Sequence, residues 1–100
     1  MKEIKDIVKQ IRDELEDAER YAKEAARLKD VRSTDSSTYA ELARQELGHV
    51  DSLHKMGVRM IDKEKELGQQ IPPAMQAVWD WEHEQMIDRV ARIKSLLSMA

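Results

Sequence analysis

The chain has 100 residues, 37% of them charged, with a formal net charge of −3 and no cysteine. Ala, Leu, Glu, Lys and Arg dominate, and the 3 Gly and 2 Pro leave long stretches unbroken, which is the composition of long helices in one small domain. Disulfides, iron–sulfur clusters, thiolate metal sites and thiol catalysis are excluded, there is no basic footprint for nucleic acid or apolar run of membrane-spanning length, and any metal must be held by Glu, Asp or His.

The opening residues, Met1-Lys2-Glu3-Ile4-Lys5-Asp6, carry charge where a signal peptide has its apolar run, so a cytoplasmic protein is expected. A first helix is predicted over about 3–29, because Ile4, Ile7, Val8, Ile11, Leu15, Ala18, Ala22, Ala25 and Ala26 recur at three- and four-residue steps. Asp13 and Glu16 point away from that stripe, whereas Glu14 falls in line with Ile7 and Ala25 and is the acid expected to face inward. Tyr21 follows two turns later on the same side, where its hydroxyl can bond a carboxylate or a backbone group.

The run Asp-Val-Arg-Ser-Thr-Asp-Ser-Ser over 30–37 breaks the period. Thr38-x-x-Glu41 fits a capping box and predicts a second helix over about 37–67, although a start at Ser33 or Asp35 fits equally well. Gly68 suits the residue after its end. The short connection makes the two helices antiparallel neighbours, with Glu14 and Glu46 at comparable heights on either side of the turn. Glu46 and His49 lie about 60° apart on the stripe that carries Leu42 and Leu53, so a carboxylate and an imidazole point toward a helix–helix core. Such a pair requires a hydrogen-bond partner, a protonated state or a metal. Asp51-x-x-His54 has the same spacing, but Asp51 points off the stripe and His54 lies at its margin, so the pair reads as surface.

Pro73 begins a third helix, predicted over about 73–98, with a stripe of Met75, Trp79, Met86, Val90, Ile93 and Leu97. Glu82 lies at its edge and His83 inside it. Trp81 is about 200° around from Trp79, so the two indoles cannot share a core, and the surplus apolar surface suggests a partner chain.

Glu14-x6-Tyr21 followed by Glu46-x-x-His49 resembles the N-terminal half of the ferritin-like and rubrerythrin superfamily, over roughly residues 4 to 66. The resemblance implies an all-α fold in which three long antiparallel helices form a ferritin-like bundle completed by homo-oligomerisation. It implies two iron ions per site, with manganese or zinc as alternative ions. Glu14 becomes a terminal or bridging carboxylate, Glu46 a bridging carboxylate, His49 an imidazole ligand, and Tyr21 a hydrogen-bond partner of the ligands. The pattern departs from the superfamily in the third helix, where Gln85 stands at the histidine position of a second Glu-x-x-His.

Two completions are open. Two copies of Glu14, Glu46 and His49 can share a site on a two-fold axis, as in short encapsulated-ferritin-type proteins, or His83 with Glu82 or Glu84 can complete one within the chain. The implied chemistry is ferroxidase or reduction of peroxide or O2, with an external electron donor because no cysteine relay exists. The alternatives are a metal-free helical self-association module that keeps the same frame, and a structural zinc or manganese site without redox chemistry.

Overall fold

The computed structural model describes residues 2–100, and among these residues it is all-helical. Three helices, α1 (Lys2–Leu28), α2 (Ser33–Glu66) and α3 (Pro73–Ser98), form a rod of 56 × 17 × 17 Å. No helix is long and apolar enough to cross a membrane among the described residues.

The stripe on α1 makes it the hub. Ile4, Ile7, Val8, Ile11 and Leu15 are all at most 5% exposed, each contributing roughly 1.5–3 kcal/mol by burial. Ala18, Ala22 and Ala25 follow at 0% exposure, at the height of Ala40 and Ala43 of α2, where small side chains let the two backbones approach. Packing of α1 against α2 is extensive and against α3 substantial, whereas α2 and α3 meet only weakly.

Register follows from the polar contacts. Glu14 meets His49 and Ser36 meets Ala25, so α1 and α2 run antiparallel. Arg12 pairs with Glu82, Arg89 with Glu19 and Lys29 with the Met99 carbonyl, each joining residues 70 apart, so α1 and α3 run parallel. Burial pushes the Glu19 carboxyl up, but the hydrogen bond from Arg89 and the charge of Lys23 outweigh it and hold Glu19 below the ordinary carboxylate range.

The second helix begins at Ser33, one of the two earlier starts the sequence allowed, so the start near residue 37 and the capping box at Thr38 are corrected. Ser36, buried inside the first turn, donates its hydroxyl to the Ala25 carbonyl at 2.6 Å, and Thr38 Oγ1 donates back to the Thr34 carbonyl at 3.2 Å. Hydroxyls bonded in these two ways leave the backbone free to continue as helix through the Ser/Thr run. The end at Gly68 follows expectation. With φ of +74°, Gly68 donates its N–H to the Lys65 carbonyl while Gln69 donates to the Glu64 carbonyl, the paired bonds of a Schellman ending. Pro73 opens α3 as expected, and the Pro72 carbonyl accepts from the N–H groups of Met75 and Gln76.

Trp79, 6% exposed, anchors the upper half of α3 with its indole over Gly57 of α2, where any Cβ would collide with the ring. Trp81 is 55% exposed, on the outer side of the helix as its wheel position implies.

Candidate metal centre

Glu14 reaches the site because α1 places it about 160° around from Arg12, so it leaves the flank shared with α3 and projects along α2. There α2 presents Glu46 and, one turn later, His49. One donor atom from each of Glu14, Glu46 and His49 lies within 4.8 Å of the others, and this is the only such group of three or more His, Asp or Glu side chains among the described residues. His49 Nδ1 is 3.3 Å from Glu14 Oε2 and 3.8 Å from Glu46 Oε1. The carboxylates are the covered part, with side chains 28% and 18% exposed, while the imidazole is 59% exposed. Ligand atoms on one ion at about 2.0–2.2 Å stand roughly 3–4 Å apart, so these three side chains fit a single ion with no more than rotamer adjustment.

The environment is acidic and poorly compensated. Two other acids turned toward a neighbouring helix each receive a guanidinium, Glu82 from Arg12 and Glu19 from Arg89. No Lys or Arg pairs with Glu14 or Glu46 among the described residues; their ionic contact is His49. Two carboxylates sharing one imidazole leave negative charge that a cation can neutralise. The donor set, two carboxylates and one imidazole, is the chemistry that Fe, Mn and Zn accept.

The remaining candidates lie elsewhere. Tyr21 packs its ring against Tyr39, with centroids 6.1 Å apart, and the Arg20 guanidinium lies 5.1 Å above its centroid. Tyr21 and Tyr39 thus form a pair further along the same α1–α2 flank, and among the described residues no hydrogen bond joins the Tyr21 hydroxyl to Glu14. Glu82 is buried and engaged by Arg12, and Glu84 is exposed on α3. His83 lies against His54, ring centroids 4.5 Å apart, so neither it nor its two neighbouring acids converges with the Glu14 group.

His54 is the residue the sequence misplaced. It is half-buried, stacked at 5.4 Å and 11° on Trp79, with a buried Nε2 that has no hydrogen-bond partner. Burial, then the neighbouring His83, push its pKa down, against a smaller opposing pull from Asp51. Only the position of α3, which covers a second face of α2, turns this residue inward. Gly57 was also missed: nothing local ties it to an indole 22 positions later.

Comparisons with protein-family models, with curated proteins and with solved structures find no match to this chain. The functional reading therefore stands on the residues and their geometry.

Proposed function

We propose that the protein is a di-metal protein of ferritin-like or rubrerythrin-like type, holding two iron ions between two copies of the chain, each copy contributing Glu14, Glu46 and His49. The observation that carries this reading is the convergence of those three donors within 4.8 Å, on acids that no Lys or Arg pairs among the described residues. A single chain supplies three donors and leaves the outer side of the group open at His49, so a second copy related by a two-fold axis would bring the total to four carboxylates and two imidazoles. The half-buried Leu42, Leu53 and Met60 on the same side of α2 supply apolar surface for that pairing.

Bound iron would supply one-electron redox chemistry toward O2 or peroxide, with manganese or zinc accommodated by the same donors and with reducing equivalents from an external donor. The chain's own residues have simpler tasks. Glu14 and Glu46 would hold the ions and offset their positive charge. His49 would supply an imidazole nitrogen, with Nδ1 on the side of the two carboxylates. The Tyr21–Tyr39 pair lies further along the same flank, toward the α1–α2 turn.

A second reading, a metal-free self-association module, is favoured by the His49–Glu14 contact at 3.3 Å, which already gives the imidazole a partner. Native mass spectrometry of protein loaded anaerobically with ferrous iron separates the two. Two irons per dimer, lost in Glu14→Ala, is the expected result; a dimer that carries no specifically bound iron or manganese selects the metal-free module.

A further inference from the structure

We propose that His54, set between Trp79 and His83, is a pH-sensitive latch that holds α3 against α2 while neutral and releases it when protonated.

The second and third helices meet only weakly, and much of what joins them is a group of rings. The Trp79 indole lies over Gly57 and stacks on the His54 imidazole, with centroids 5.4 Å apart and planes 11° from parallel. His83, one turn beyond Trp79 on α3, brings its ring to 4.5 Å from that of His54 at an angle of 51°. A neutral imidazole suits this position, as a flat ring packed on an indole. An imidazolium does not. Protonation makes both ring nitrogens donors, and His54 Nε2 is buried with no hydrogen-bond partner. The cavity beside it, about 10 Å³, is walled largely by Val8, Ile11, Trp79 and Met86, which offer no acceptor.

The charged groups around the ring set the direction. On α2, Asp51 favours a proton on His54, but its carboxylate is paired with Lys55 at 2.9 Å. On α3, His83 disfavours a second positive charge, the Glu82 carboxylate is engaged by Arg12 of α1, and exposed Asp80 accepts from the Gln76 amide at 2.9 Å. The Trp79 face attracts a cation but gives Nε2–H nothing to bond. Burial, then His83, outweigh Asp51 and push the His54 pKa down. Released from Trp79, the imidazole titrates near the ordinary value of about 6.5, whereas the docked one takes a proton only at lower pH. Docking is thus at full strength above about pH 6.5 and weakens as pH falls, by up to about tenfold in the docked-to-undocked ratio per pH unit, until the lower docked value is reached. The loss falls on α3, because α1 and α2 pack extensively along a seam of their own. Its departure uncovers Val8 and Ile11 of α1 and Gly57 of α2.

The test follows amide hydrogen exchange of the full chain in chelator between about pH 7.5 and pH 5.5, corrected for the intrinsic pH dependence of exchange, while NMR follows the imidazole resonances. Amides of α3 around Trp79 are expected to lose up to about tenfold in protection relative to those of the α1–α2 seam, and the His54 resonance to titrate below about pH 6.5. In His54→Phe, which keeps a flat ring on Trp79 but binds no proton, the selective loss is expected to vanish. Equal loss in all three helices, no loss, or a selective loss that persists in His54→Phe overturns the proposal. So does a His54 resonance that titrates at or above the ordinary histidine value. Should His54→Phe fail to fold, the His54 titration in the unaltered chain decides alone.

Discussion

Glu14→Gln separates a metal-binding group from a structural one, because the two make opposite claims about the metal-free protein. The substitution keeps the side chain's shape and removes one negative charge. Charges up to 4.8 Å apart repel by about 1 kcal/mol at the dielectric of water and about 3 kcal/mol at the effective value near a protein surface. With side chains 28% and 18% exposed, and with salt screening, the relief is about 1 kcal/mol. Against it stands the weakening of the His49 contact from charged to neutral, worth about 0.5–1.5 kcal/mol. The terms nearly cancel. Metal-free Glu14→Gln is therefore expected to melt within about 8 °C of the unaltered protein, while added Mn2+ or anaerobic Fe2+ no longer raises its melting temperature. Differential scanning calorimetry in chelator, then with titrated metal, reads both. A metal-free loss above about 2 kcal/mol would refute the reasoning by making Glu14 part of a structural network. Undiminished stabilisation by metal would refute it by placing the ion elsewhere.

Gly57→Ala ordinarily gains up to about 1 kcal/mol within a helix, but here the new Cβ meets the Trp79 ring, so a net loss of about 1–3 kcal/mol is expected in urea unfolding. Arg12→Ala leaves the Glu82 carboxylate, 9% exposed, without its partner. Since the guanidinium is itself 51% exposed, the expected cost is about 1–2 kcal/mol, below that of a fully buried pair, and Arg12→Ala with Glu82→Leu should recover most of it. The lowered pKa of Glu19 sets a pH dependence. Its contribution is fully present above the unfolded carboxyl value of about 4.3 and is lost as pH falls through the lower folded value, so the acid slope of stability should flatten in Glu19→Gln, measured by urea midpoints between about pH 5 and pH 2.

What could be read from the residues was whatever a single helix encodes by its own period. The α1 stripe, the Gly68 ending and the Pro73 start are of that kind, and the structure has all three. The convergence of Glu14, Glu46 and His49 was also legible, because an inward angle and an equal distance from the turn together determine height and direction in an antiparallel pair. The start of α2 was legible only as a choice among Ser33, Asp35 and Thr38, of which the structure has Ser33. Ser, Thr and Asp favour turns by offering hydroxyls and carboxylates to nearby backbone, and only the Ala25 carbonyl, supplied by the other helix, redirects Ser36. His54 failed for a related reason. A wheel drawn for one buried stripe treats its margin as surface, whereas α2 is covered on two sides, by α1 and at Trp79 by α3. The Arg12–Glu82 pair depends on a register between helices 70 residues apart, which no local pattern carries.

The distribution of partners across α1 connects these details to the functional reading. One flank of the hub carries Arg12 and Glu19, each matched by an opposite charge on α3, and that flank is closed. The other carries Glu14, which meets a second acid and one imidazole from α2 but no guanidinium or ammonium among the described residues. A chain with 17 Lys and Arg has ample means to neutralise two more carboxylates, and i, i+4 placement on either helix would suffice. Half-covered acids left beside each other cost stability in the metal-free protein, since each repels the other at short range. Such a cost is offset when a cation occupies the group, and the gain then appears as binding free energy. The same logic explains why α3 takes no part in the donor set. Its parallel packing on the opposite flank keeps the Glu14 side of the hairpin free, the condition under which a second copy can approach the three donors directly.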